Sequence, residues 1–159
     1  MRKWIDSNTV LVEKTMSLSI RHTGIYVNNI NIMRTFYMKV FDLCEIYHEI
    51  ESGVVADAMF ATENICIEVC KLRFGDGCVI ELIYNKEYAG LKICNRHIFD
   101  SGQMHIAYTV DSADEIYDRI ISCGGKCFSK PNKSADGRVY VFFAEDPEGN
   151  YMEIVEEIA

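Results

Sequence analysis

Two histidines and two glutamates recur at matching places along this chain. His22 opens the run H-T-G-I-Y-V and His105 opens H-I-A-Y-T-V, while Glu81 lies inside V-I-E-L-I-Y-N and Glu153 inside Y-M-E-I-V. Each residue alone has a plain structural reading. A histidine in a strand is commonly held by hydrogen bonds, and a glutamate between apolar neighbours on an alternating strand can simply face water. As a set they offer something else. Two imidazoles and two carboxylates make an N₂O₂ donor set for one divalent metal ion, harder than a cysteine set and with room for water or substrate oxygens in an octahedral shell. Nickel, cobalt and zinc lead the choice, and manganese and iron(II) also fit.

The elements that must position these side chains repeat. From Ile20 an alternating stretch reads as a strand, and Ile30, Met33, Tyr37 and Val40 then recur at helical spacing over roughly 30 to 40. Strand-like runs follow at about 44 to 51, 54 to 69 in one or two pieces, and 78 to 84. From Met104 the order returns: a strand from His105 to Val110, a capping box at Ser112 and Glu115, and a helix with apolar Ile116, Ile120 and Cys123 that stops at Gly124-Gly125. Strands at 126 to 129, 139 to 144 and 151 to 156 complete it.

Five positions support a duplication. Each half has its histidine, a valine five residues later (Val27, Val110), and a glutamate in its last strand. Each also has a glycine four before that glutamate (Gly77, Gly149) and an acidic residue five before it (Asp76, Glu148). A residue that merely faces water has no reason to recur in this company. His48 and His97 lack counterparts and keep the structural reading. The expected fold is α+β: paired βαβββ modules forming curved mixed sheets around a metal-binding groove. Residues 1–17 are an N-terminal extension, 18–85 the first module, 86–103 a linker and 104–159 the second module.

Composition sets limits. The 159 residues are 49% apolar and 25% charged, which suits one globular domain. The net charge of −8 argues against nucleic acid or a membrane surface as partner. No apolar run is long enough to span a bilayer. The basic start M-R-K-W lacks an apolar core segment, so no signal peptide is read and a cytoplasmic location is expected. Seven cysteines, an odd number, fit that compartment. The pairs Cys66/Cys70 and Cys123/Cys127 have a spacing that could suit zinc, but Cys66 to Cys70 lies in a strand-like run where both would share one face as core.

The motifs H-T-G-I-Y-V at 22, F-Y-M-K-V-F-D-L at 36, V-I-E-L-I-Y-N at 79, H-I-A-Y-T-V at 105 and D-P-E-G-N-Y-M-E-I-V at 146 together resemble the vicinal oxygen chelate superfamily, over roughly residues 18 to 157. Within it the nearest likeness is to the glyoxalase I (lactoylglutathione lyase) family of the short bacterial type. That resemblance implies a ligand set of His22, Glu81, His105 and Glu153, a homodimer, and a small-molecule substrate. It also implies sites that chains often build together, so that ligands come from one chain or from two. Asn85 matches a position that contacts glutathione in that family. Where the family usually carries an arginine, four residues after the first histidine, this chain has Tyr26. A phenol cannot form the bidentate pair that guanidinium makes with a carboxylate, which leaves the thiol open. Arg138 and Lys133, in the loop 129 to 138, are candidate anion binders, with solvated loop charges as the plain alternative.

The chemistry implied is a lyase or isomerase reaction: proton transfer next to a carbonyl through an enediolate that the metal stabilises, on a substrate such as a 2-oxoaldehyde–thiol hemithioacetal. The resemblance makes Glu153 the base, with Glu81 sharing the role from the opposite face. Two alternatives stand beside it: an epimerase or isomerase of an acyl thioester or sugar, of the methylmalonyl-CoA epimerase kind, and a metal-free ligand-sequestering protein of the bleomycin-resistance kind.

Overall fold

The computed structural model describes residues 19–90 and 97–158. The expected N-terminal extension and the middle of the expected linker lie outside the described residues.

The first module begins with β1 (Thr23–Val27) and α1 (Ile30–Phe41). Asn29 caps α1, its side chain accepting from the Ile32 N–H at 3.1 Å. Ile30, Met33, Phe36, Tyr37 and Val40 form its buried stripe. Next come β2 (Cys44–Ser52), α2 (Val54–Phe60), β3 (Cys66–Arg73) and β4 (Val79–Asn85). They form a sheet in the order β1-β4-β3-β2, with β1 parallel to β4 and the other pairs antiparallel.

The second module has β5 (His105–Thr109), α3 (Ala113–Ser122), β6 (Lys126–Cys127), β7 (Asn132–Lys133), β8 (Val139–Glu145) and β9 (Tyr151–Glu157). Its sheet runs β5-β9-β8-β6, with β7 also on β8 and β5 parallel to β9. The same topology thus appears twice, and the fold is mixed α+β with two open mixed sheets.

Three expectations need correction. Residues 54 to 60 are a helix, not strand. Gly53, at φ 89°, turns the chain out of β2, and Ala56 and Phe60, one helical turn apart, meet the sheet. The loop after α2 is then held by Asp57, which accepts the Ile65 N–H at 2.8 Å. Cys66 is exposed at the strand end while Cys70 is buried, so the two do not form one core face. The capping box is half made: Ser112 Oγ accepts the Glu115 N–H at 3.2 Å, but the Glu115 carboxylate pairs with Arg119 at 2.6 Å.

One core joins the modules. Helices α1 and α3 pack together, and Phe41 of α1 stacks on Tyr108 of β5 with ring centroids 4.4 Å apart. Two polar links add to this. Arg119 of α3 donates to the Asp42 carboxylate at 2.6 Å. Glu148 accepts the backbone N–H groups of Asn28 and Asn29 at 2.6 and 2.7 Å, which places a carboxylate at the positive end of α1.

Candidate metal and substrate site

Sheet register positions the four ligand-type residues. On parallel β1 and β4, Glu81 lies opposite Gly24; on parallel β5 and β9, Glu153 lies opposite Ala107. In each case the opposite residue is two beyond the histidine, and residues two apart in a strand share a face. His22 and Glu81 therefore meet, with Nε2 to Oε2 at 3.1 Å, and His105 and Glu153 meet at the same 3.1 Å. Gly77 and Gly149, with φ of 95° and 87°, make equivalent left-handed turns four residues before each glutamate. The matched acidic residues before them diverge: Asp76 binds the Cys78 N–H in its own turn, whereas Glu148 reaches α1.

The two pairs stand on different sheets. Among the described residues, the trio of His, Cys, Asp or Glu side chains with ligand atoms within 4.8 Å of one another is Glu45, His48 and Cys70, not any three of the four expected ligands. Each pair thus stands by itself within the chain.

The two pairs differ. Lys71, opposite Glu81 in the β3–β4 register, puts its ammonium 3.1 Å from Glu81 Oε1. The equivalent place opposite Glu153 holds Phe143, whose ring meets His105 edge-on at 5.3 Å. Glu81 thereby has both oxygens engaged, Oε2 by His22 and Oε1 by Lys71. Among the ion pairs of the described residues, Glu153 has His105 alone.

On the Glu81 face of the first sheet, Ile67, Ile83, Ile65 and Phe60 line an apolar recess of about 380 Å³, rimmed by Tyr26 and Asn85. A larger cleft of about 810 Å³ runs between the modules, past Tyr26, Asn85 and His105 to the loop at Asp146–Asn150. Tyr26, four after His22, is exposed at the junction of both. Asn85 lines both as well, and its side chain accepts the Glu87 N–H at 2.9 Å. Arg138 lies apart from both cavities, highly exposed on the turn before β8, with Asp136 3.8 Å away.

Asp146 is the buried charge of this region. It accepts Tyr37 Oη at 2.9 Å, the Glu148 and Asn150 N–H groups at 2.9 Å each, and Asn150 Nδ2 at 2.8 Å. Burial holds its carboxyl above the usual range, against the pull of those donors. Its D-P-E-G-N setting is the sequence signal that marks it, since an aspartate heading a turn can bind the N–H groups two and four residues on.

Residues 19–154 match the family model of the Glyoxalase/Bleomycin resistance protein/Dioxygenase superfamily, and the chain belongs to that superfamily. No curated protein sequence matches it. Among solved structures, a glyoxalase family protein from Bacillus cereus has a TM-score of 0.81 at 18% identity, covering 92% of this chain and 99% of its own. The trypanothione-dependent glyoxalase I of Leishmania major gives 0.61 at 22%, with 89% and 88% covered. Glyoxalase I from Zea mays gives 0.62 at 20%, with 86% of this chain covered but 46% of that longer chain. At these identities the likeness is one of fold. No helix of the described residues is long and apolar enough to cross a membrane.

Proposed function

We propose that this protein is a metal-dependent lyase or isomerase of the glyoxalase I type, cytoplasmic, acting as a homodimer on a small molecule. Its substrate is a 2-oxoaldehyde–thiol hemithioacetal or a close analogue. Residues 18–85 and 104–159 are its two modules, joined by 86–103 and preceded by the extension 1–17. The observation that carries the reading is the matched register, which sets a histidine nitrogen and a glutamate oxygen 3.1 Å apart in each sheet. Donor atoms about 3 Å apart are the spacing of adjacent positions in an octahedral shell with bonds of about 2.1 Å. His22 and Glu81 of one copy and His105 and Glu153 of a second would complete an N₂O₂ set for nickel, cobalt or zinc. Exposed apolar groups on α2 support association: Val54, Val55 and Met59 are 86%, 73% and 69% exposed.

When bound, the ion supplies a Lewis acid for the substrate's carbonyl oxygen. Glu153, free of an ammonium partner, takes the proton from the adjacent carbon and returns it to the neighbouring one. Glu81 is held through Oε1 by Lys71, which suits it to a steady single-oxygen ligand role. The apolar recess beside Glu81 receives the hydrocarbon part of the substrate, and Asn85 and Tyr26 at its rim meet the polar part. Tyr26 selects against a thiol that needs a guanidinium partner. The Leishmania relative, described as trypanothione-dependent, illustrates that this fold serves thiols other than glutathione.

The test is a substrate panel on protein loaded with nickel, cobalt or zinc, read by proton exchange in deuterated water. It includes methylglyoxal hemithioacetals of glutathione and of other thiols, and acyl-CoA epimers. Exchange into a hemithioacetal supports the proposal. Exchange into an acyl thioester alone moves the assignment to an epimerase. No exchange together with no stoichiometric metal overturns it in favour of a ligand-sequestering protein.

A further inference from the structure

The opposite face of the first sheet, where it meets α1, holds a second cluster. His48 on β2 lies directly across from Cys70 on β3. In a regular strand Glu45 and His48, three apart, would face opposite ways, but the register shifts between Glu45 and Tyr47. That bulge resets the alternation and brings both side chains to the Cys70 side. Glu45 Oε2 is 3.5 Å from His48 Nδ1 and 3.5 Å from Cys70 Sγ. Ligands around tetrahedral zinc stand about 3.3–3.7 Å apart for bonds of about 2.0 Å to nitrogen or oxygen and 2.3 Å to sulfur.

The other nitrogen of His48 strengthens the point. Nε2 lies 2.7 Å from Glu68 Oε1, and a carboxylate there accepts the ring N–H. Nδ1 is the nitrogen left facing Glu45 Oε2, at 3.5 Å, where a proton or a metal ion can join the two. A carboxylate behind a histidine, fixing its tautomer with the other nitrogen forward, is how metal-ligating histidines are commonly oriented. Arg34 of α1 supplies a positive charge here, its Nε donating to Glu45 Oε2. Its side chain is 33% exposed, so it has a path to solvent.

We propose that Glu45, His48 and Cys70 form a zinc site distinct from the His22, Glu81, His105 and Glu153 set, with Glu68 orienting His48 and Arg34 as the cation zinc displaces. Binding replaces the Cys70 S–H bond by a sulfur–zinc bond, releases that proton to solvent, moves Arg34 off Glu45 and leaves a fourth position for water. The ion would tie β2 to β3 at the edge of the core under α1.

Cobalt(II) added to the chelator-stripped full-length protein is the test, because a thiolate ligand produces a charge-transfer absorption that the sulfur-free N₂O₂ set cannot. The band is expected in the wild type and lost in Cys70→Ser and in His48→Gln, with zinc content falling by one ion per chain in each. Arg34→Ala is expected to bind about tenfold more tightly, the effect of removing one competing charge. His22→Ala should keep the band, so failure of the proposed enzymatic site leaves this result unaffected. Absence of the band in both wild type and Arg34→Ala, or its survival in Cys70→Ser or His48→Gln, overturns the proposal.

Discussion

Lys71 holds Glu81 by an ammonium 3.1 Å from Oε1, and the duplicated half puts Phe143 where that lysine would be. The two modules therefore present chemically unequal glutamates on one repeated scaffold.

Replacing Glu153 by Gln keeps the size and an oxygen but removes the proposed base. Turnover should fall by about 10²- to 10⁴-fold, with the circular dichroism spectrum unchanged. Glu81→Gln should instead act chiefly through weaker metal retention, and excess metal should restore part of its activity. Equal losses in the two variants, neither rescued by metal, would remove the division of roles.

Asp146 gives a pH-dependent stability of opposite sign to a surface ion pair. Burial raises its folded value above the unfolded one, so the fold favours the protonated acid. The folded state then binds more protons between those two values, and this contribution to stability declines as pH rises through them from about pH 4. Urea unfolding of the wild type and Asp146→Asn across the acid range should show this declining component in the wild type alone. Asp146→Ala, which strands Tyr37 Oη and two turn N–H groups, should cost about 2–4 kcal/mol at neutral pH.

Gly125 lies where the chain leaving α3 passes close to its sheet. An added Cβ would lie 2.7 Å from the Glu145 carbonyl oxygen, 2.7 Å from Ile120 Cγ2 and 3.0 Å from Phe36 Cε2. Since one neighbour is backbone, the clash cannot be relieved by a rotamer change. Gly125→Ala should destabilise by about 1–3 kcal/mol, measured by thermal unfolding. Gly124→Ala meets no neighbouring atoms and should show only the strain of its φ of 91°.

Much of this architecture was legible because its signals are local or repeated. The stripe Ile30, Met33, Tyr37 and Val40 marks α1, and all four are buried. The matched placement of His22 and His105 at the start of each first strand, and of Glu81 and Glu153 within each last strand, points to each pair, because a repeated sheet register is written into both copies. What escaped depends on departures from regularity. V-V-A-D-A-M-F reads as strand by composition, yet Gly53 and the Ala56/Phe60 spacing make it α2. The Glu45, His48 and Cys70 cluster has no sequence spacing to find, since a bulge and a cross-strand pairing create it. Arg138 carried an anion-binding reading on charge alone, and it lines neither cavity.

We propose that one site is assembled from His22 and Glu81 of one copy and His105 and Glu153 of another. Coexpression of two inactive variants, His22→Ala and Glu153→Ala, tests it most directly. In a mixed dimer, one site collects both defects and the other collects none. A shared site predicts recovery of about a quarter of wild-type activity with random pairing. If both variants are inactive alone and their mixed dimers stay inactive, the site lies within one chain and the account is contradicted.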